Sequence, residues 1–370
     1  MITELKLKNF RGFDEHVIPL EQFTLLVGKN NAGKSTAVEA LRLISIITQR
    51  YQGLSYKPLP AWLERPKRER AVFPATDEFD FNSKSLFHRL GDPPATISAS
   101  FATGHKIEVL VGRNAEVVGV VWDEKGNVIT DKAAALRTTV PQVSILPQIG
   151  PLIREERQLD KEYVKKNISS QRTSLHFRNQ LHIMQEHIKS FRKLAEETWP
   201  RLRVEDLVKT ALSLSEHKLD LLVREGDFTA EVGWRGHGLQ MWLQTMWFLT
   251  HAASAAVVVL DEPDVYMHAD LQRRLVRLLR SRSHQSVIAT HSVEIMSEVE
   301  PSQIVVIDRS KRRSGSTDST PAVQSLLQNI GSIHNIHLAR LSAARRIILV
   351  EGDDIDYLKP LQDTLFPRSS

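Results

Sequence analysis

Apolar positions along the 370-residue chain fall into two rhythms. Alternation with polar residues predicts strands over Ile2–Lys8, where Ile2, Leu5 and Leu7 are apolar, and over Val17–Leu20. It recurs over Thr96–Phe101, Lys106–Val111 and Glu116–Trp122, with Gly104, Gly112 and Gly126 as breaks, and reads as an antiparallel meander. Lys218–Arg224 and Phe228–Gly233 repeat the pattern around the turn Glu225-Gly226-Asp227. Continuous apolarity marks a different kind of strand. Ala256–Leu260 carries no polar residue, as burial on both faces requires, and Phe23–Val27, Gln142–Leu146 and Ser286–Thr290 are further strand signals.

The helical period adds four elements. An amphipathic helix is predicted from Thr36 to about Arg50, with Val38, Leu41, Leu43, Ile44 and Ile47 along one side. Others cover Met241–His251 and Ala269–Arg282, the latter with Leu271, Leu275, Leu278 and Leu279. The longest pattern, Ser169–Trp199, spaces Phe177, Leu181, Met184, Ile188, Phe191 and Ala195 by fours and threes, a seam more typical of core packing than of a projecting coiled coil. Tyr51–Pro94 is irregular and rich in proline and charge, and reads as a solvated surface insertion, with a nucleic-acid contact as the alternative. Arg309–Thr320 reads as a loop or linker.

Composition narrows the field without deciding it. The hydrophobic fraction of 41% supports a true core, and the absence of cysteine excludes disulfides, thiolate metal sites and cysteine catalysis. No apolar run reaches the roughly 18 residues of a membrane span, and Met1–Lys6 has no signal-peptide shape, so a cytoplasmic protein without membrane contact is expected. A formal charge of +5 is a mild bias, compatible with DNA but not diagnostic of it.

Chemistry enters at the ends of the apolar strands. After Phe23–Val27 stands Gly28-Lys29-Asn30-Asn31-Ala32-Gly33-Lys34-Ser35-Thr36, a complete G-x-x-x-x-G-K-[ST] phosphate loop between strand and helix. Its glycines free the backbone N–H groups to wrap phosphate oxygens, and the helix start adds a positive dipole end. Lys34 reaches the outer phosphates and the Ser35 hydroxyl suits Mg2+, so a nucleoside triphosphate is expected. The strand 256–260 ends in Asp261-Glu262-Pro263. In a phosphate-loop fold the first carboxylate can hold the Mg2+ shell and the second can orient or deprotonate the attacking water. The strand 286–290 ends at His291-Ser292, where a histidine can donate to the γ-phosphate.

Arg235-Gly236-His237-Gly238-Leu239-Gln240, just before the Asp-Glu strand, resembles the signature motif of ABC-type ATPases, with Gly236 where that family normally has serine. The order of phosphate loop, Pro147-Gln148, signature, Asp261-Glu262 and His291 is similar too. The resemblance implies an α/β P-loop NTPase of the ABC-ATPase head fold, with an antiparallel β lobe and a helical lobe at about 155–215. It further implies ATP and Mg2+ as ligands, Gln148 in the metal shell, and a homodimer in which Gly236, His237 and Gly238 of one copy complete the other's site. Leu5–Phe13 is similar to the start of SMC- and RecF-related DNA-handling ATPases, which implies a place for Arg11 near the nucleotide. Glu262-Pro263-Asp264 with His268, and Ala289-Thr290-His291-Ser292, resemble the OLD (overcoming lysogenization defect) family and its AAA-type endonuclease relatives.

Arg345–Asp356 looks like the first strand and acidic turn of a TOPRIM nuclease domain, so the expected division is 1–340 for the ATPase and 341–370 for a partial TOPRIM-like segment. The second TOPRIM carboxylate pair should lie on a later strand, and the 19 residues after Glu351 hold an Asp-x-Asp spacing only at Asp354-Ile355-Asp356, in the turn itself. This chain alone is therefore not expected to cut DNA. The favoured expectation is the ATPase module of an OLD-like DNA-processing or anti-phage system. An ATP-driven sensor or scaffold for a separate effector protein is the alternative. A transporter ATPase is disfavoured by Asn9-Phe10-Arg11, by His268 and by the TOPRIM-like tail.

Overall fold

A computed structural model describes residues 1–29, 31–63, 65, 69–75, 85–168, 172–213 and 216–316 of the chain. The partial TOPRIM-like segment and the boundary near residue 340 lie outside the described residues, as does Asn30.

Two sheets share one core. The first is antiparallel and seven-stranded, in the order Phe13–Pro19, Ile2–Phe10, Ala95–Phe101, Lys106–Val111, Val117–Trp122, Arg70–Val72, Tyr56–Pro58. The second has six strands, in the order Gly315–Ser316, Ile304–Val306, Phe23–Val27, Ser286–Ala289, Val257–Asp261, Val143–Leu146. All its pairings are parallel except that of the edge strand Gly315–Ser316. The helix Lys34–Arg50 packs against both sheets, touching Val143–Leu146 and Val257–Asp261 on one side and Ala95–Phe101 and Lys106–Val111 on the other. That position explains why Ala37, Ala40, Ile46 and Thr48 are buried along with the expected apolar stripe. A helix between two sheets needs an apolar surface nearly all round, not one face.

The third layer, between residues 156 and 251, adds strands to the helical lobe expected at about 155–215. Four antiparallel strands, Glu156–Arg157, Leu202–Ala211, His217–Glu225 and Phe228–Glu231, form a small sheet there. Phe177–Ile183 and Ile188–Thr198 lie beside it. The continuous helix expected over 169–199 is broken at Met184, whose backbone leaves the helical region at φ −107 and ψ 52. The apolar seam survives the break because Phe177, Leu181, Phe191 and Ala195 remain buried. Ahead of the break, Gln180 accepts from Trp247 Nε1 at 2.9 Å and donates to the Thr173 carbonyl at 2.8 Å, tertiary bonds that periodicity cannot show.

Parts of the expected surface insertion and of the expected linker contribute to the core. Ala71 and Val72 are fully buried in the antiparallel sheet, Leu86 is 1% exposed, and Arg65 pairs with Glu108 at 2.5 Å. Residues 311–316 of the expected linker are fastened to Phe13–Pro19. The buried His16 meets the Lys311 carbonyl through Nδ1 at 2.6 Å and Ser314 Oγ through Nε2 at 2.7 Å. Among the described residues, no helix is long and apolar enough to cross a membrane.

Candidate functional site

Strand register builds the site. Leu26 pairs with Ala289, Ala289 with Asp261, and Leu260 with Leu146, all in parallel. The carboxyl ends of four adjacent strands therefore fall along one sheet edge, where α/β folds place their ligands. The segments leaving that edge are the phosphate loop, Thr290-His291, Asp261-Glu262 and Pro147-Gln148.

In the phosphate loop, Gly33 has φ +111, a conformation that side chains rarely adopt. A Cβ on Gly33 would meet the Phe13 ring at 2.4 Å, and one on Gly28 would meet the Ile307 carbonyl oxygen at 2.7 Å. The loop is thus a backbone cradle that only glycine can line at these points. Asn31 has φ +64, the Ala32 amide donates to the Lys29 carbonyl, and the Gly33 carbonyl accepts from the Ala37 amide as the helix begins. Ser35 is exposed and Thr36 half-buried at the first turn. Backbone donors, a helix start and a lysine in this shape fit a polyphosphate.

Lys34 is buried, and burial lowers its pKa below the usual lysine range despite the nearby carboxylates of Glu262, Asp261 and Asp264. Its Nζ donates to the Gly28 carbonyl at 3.2 Å and lies 2.6 Å from His291 Nε2. An ammonium only donates, so His291 accepts through Nε2 and is neutral in this arrangement. Burial and then the charge of Lys34 push the His291 pKa down, in keeping with that state.

The carboxylates are poised differently. Burial, reinforced by the charge of Glu262, raises Asp261 to about 6. Glu262 has φ +45, and its amide donates to the Ala289 carbonyl at 2.8 Å. A non-glycine residue there carries strain of about 1–3 kcal/mol, which the surrounding structure holds in place. The Glu262 carboxylate accepts from Gln148 Nε2 at 3.1 Å and stands 3.7 Å from His291 Nε2. Gln148 thus spends its amide nitrogen on Glu262 and keeps its carbonyl oxygen as a ligand-type atom. Ser35 Oγ, Asp261 and the Gln148 oxygen are hard oxygen atoms, the donor type that suits Mg2+.

Residues flanking Glu262 and His291 hold this edge together. Thr290 Oγ1 donates to Asp264 at 2.5 Å and accepts from the Ser292 amide at 2.9 Å, while Ser292 Oγ hydrogen-bonds Gln272. Phe13, the last residue of the Leu5–Phe13 resemblance, packs on Gly33, a contact that the motif does not indicate. Arg11, expected near the nucleotide, is held by a two-pronged ion pair with Glu39 on the helix after the loop, at 2.5 and 2.6 Å.

The signature residues stand apart from this cluster. Gly236 caps the helix His237–His251 with no side-chain hydrogen bond, and nothing lies within 4 Å of where its Cβ would be. The serine of the ABC-type motif is therefore not missing for lack of space. His237 is exposed and stacks edge-on to Tyr266 at 5.4 Å between ring centroids. Gly236 and Gly238 line an open groove of about 500 Å³ with Trp199, Phe228, Trp234 and Tyr266, and no phosphate-loop residue lines it. Beneath it, Arg178 is fully buried between Glu156 and Glu231, and Glu231 accepts from the Gly233 amide at 2.7 Å.

Comparison with known proteins divides along the same lines. Residues 1–87, with the phosphate loop, match the family described as an AAA ATPase domain. Residues 154–297, with the signature helix, Asp261-Glu262 and His291, match the family described as "AAA domain, putative AbiEii toxin, Type IV TA system". A comparison with curated proteins found no match. Among solved structures, an SMC head bound to the C-terminal winged-helix domain of ScpA is similar at TM-score 0.51 and 16% identity, covering 85% of this chain and 96% of that one. The Pyrococcus yayanosii SMC head with a coiled coil and joint gives 0.52 and 12%, covering 88% and 99%. The Pyrococcus furiosus SMC head bound to the C-terminal domain of ScpA gives 0.50 and 14%, covering 89% and 99%. The fold is that of an ABC-type ATPase head, and both matched families are AAA domains.

Proposed function

We propose that this ABC-type ATPase head binds ATP with Mg2+ and hydrolyses it in a composite site formed by two copies of the chain arranged head to tail. One observation carries the reading. The phosphate loop, Gln148, Asp261, Glu262 and His291 converge on one sheet edge, while Gly236 and Gly238 line a groove that none of the phosphate-loop residues lines. A signature motif separated from its own phosphate loop is free to serve a second copy.

In this scheme the backbone of Gly28, Asn30, Asn31, Ala32, Gly33 and Thr36, with Lys34, cradles the phosphates. Ser35, Asp261 and Gln148 would hold Mg2+, which neutralises charge on the β- and γ-phosphates when bound. Glu262 takes the proton of the attacking water. His291, released from Lys34 when that ammonium turns to the phosphates, offers its ring to a γ-phosphate oxygen. The amides at the start of His237–His251 close over the partner's γ-phosphate. Arg11 acts through Glu39 on the phosphate-loop helix.

The wider role we favour is the ATPase module of an OLD-like DNA-processing or anti-phage system, on the strength of the motifs at 262–268 and 289–292. A second reading is a head that captures and releases a separate effector protein. It draws support from the SMC-head structures solved with ScpA bound.

Gly238→Asp tests the composite site, because it puts a carboxylate where the partner's γ-phosphate should dock. ATP binding should persist while turnover falls to background, and wild-type turnover in this variant would refute the dimeric site. DNA binding that weakens steeply between 50 and 200 mM salt would favour the DNA-processing role over the effector role.

A further inference from the structure

Two glutamines on the signature helix grip the segment that follows Gln148. Gln240 is 1% exposed and Gln244 is 4% exposed, one helical turn apart on His237–His251. Gln240 Oε1 accepts from the Leu152 amide at 2.8 Å, and Gln244 Nε2 donates to the Gly150 carbonyl at 3.0 Å. Four helical residues advance about 6 Å. The two bonds go to adjacent peptide groups of the arm, 150–151 and 151–152. The other half of the Gln240 amide donates to the Arg235 carbonyl at 2.7 Å and the Gly233 carbonyl at 3.3 Å. A Cβ on Gly233 would lie 3.0 Å from the Ile153 carbonyl oxygen, so arm and signature loop are also in close contact.

We propose that Gln240 and Gln244 are positioning residues that lock the Gln148 arm to the signature loop of the same copy. ATP held at one site then sets the shape of the half-site offered to the partner. The inference rests on the composite-dimer reading above. Its physical basis is that Gln148 touches Glu262 at one end of the arm, while buried carboxamides hold the other end where water cannot replace them. Displacement of the arm backbone at Gly150–Leu152 therefore either moves residues 233–235 or breaks the hydrogen bonds of these buried carboxamides. One side chain, Gln240, contacts both the arm and the loop.

The test uses the full chain as wild type, Gln240→Leu, Gln148→Ala and the double variant. Fluorescent-ATP binding, turnover against protein concentration, and melting temperature are measured for each. Gln240→Leu should keep ATP affinity within about threefold and lower turnover about tenfold, through loss of the three hydrogen bonds that join arm and loop. In the Gln148→Ala background it should cost less than about twofold more, because both residues act through one arm. Gln244→Leu should reproduce the pattern more weakly. Penalties that multiply across the double variant would overturn the proposal. So would ATP affinity and melting temperature falling together with turnover, the mark of a packing role. Wild-type turnover per chain that does not depend on protein concentration would instead remove the dimeric site on which the inference stands.

Discussion

Replacing Glu262 by Gln isolates the chemical step from binding. The side chain keeps its length, and the new carboxamide retains an oxygen to accept from Gln148 Nε2, now at 3.1 Å. The backbone at φ +45 is equally strained for Glu and Gln, so the folded state should melt unchanged. What disappears is a negative charge and a proton acceptor. The charge of Glu262 is the second cause, after burial, of the high Asp261 pKa of about 6. Its removal lets Asp261 ionise more readily, so Mg–ATP affinity should be unchanged or tighter. The lost proton acceptor should cost about 10²–10⁴ in turnover, typical of general-base catalysis. That range corresponds to about 3–5 kcal/mol of barrier. Equilibrium binding of a fluorescent ATP analogue and phosphate-release kinetics separate the two effects, and light scattering should find an ATP-bound dimer accumulating. Turnover within threefold of wild type would refute the assignment of Glu262 as base. A large loss of ATP affinity would show that the carboxylate holds the metal instead.

Three further outcomes follow from the packing. Gly33→Ala forces a Cβ to 2.4 Å from the Phe13 ring at φ +111. Backbone strain and overpacking of about 1–3 kcal/mol each should reshape the loop and weaken ATP binding about 100-fold. Adding Phe13→Ala should recover only part of that, because φ is unaltered. Arg178→Met leaves the buried Glu156 and the partly buried Glu231 without their shared cation, and should lower stability by about 2–4 kcal/mol in denaturant melts. Adding Glu156→Gln should restore part of the loss. His251, its Nδ1 against the Trp247 carbonyl, is pushed down to about 4, chiefly by burial. The unfolded chain, titrating near 6.5, binds more protons in that window, so stability should fall as pH drops from about 6.5 to about 4 and then level off. The loss is about 3 kcal/mol at most, and His251→Asn should flatten the profile.

The sequence by itself determined the chemistry of individual strand ends. Buried runs followed by Gly-Lys-Ser, Asp-Glu or His are local patterns, because a strand buried on both faces must be apolar and its polar residues collect where it leaves the sheet. Helix 269–282 was legible because its period reflects a single buried face. Lys106–Val111 and Val117–Trp122 are instead buried on both faces, with Leu110, Val118 and Val120 packing with Leu63 and Ala71. Tertiary structure decided the neighbours. The sheet order sets the His291 strand between the phosphate-loop and Asp-Glu strands, and this order brings Lys34 to His291 across 257 residues of sequence. The break at Met184, the burial of residues 71–72, the docking of 311–316 on His16 and the Arg11–Glu39 pair all depend on partners far along the chain. Gln148 and Gln240 show the division most plainly. Both were legible only through their places in a motif, Gln148 after Pro147 and Gln240 at the end of Arg235–Gln240. Each gains its meaning from a hydrogen bond across the fold, and periodicity reports burial without naming the partner.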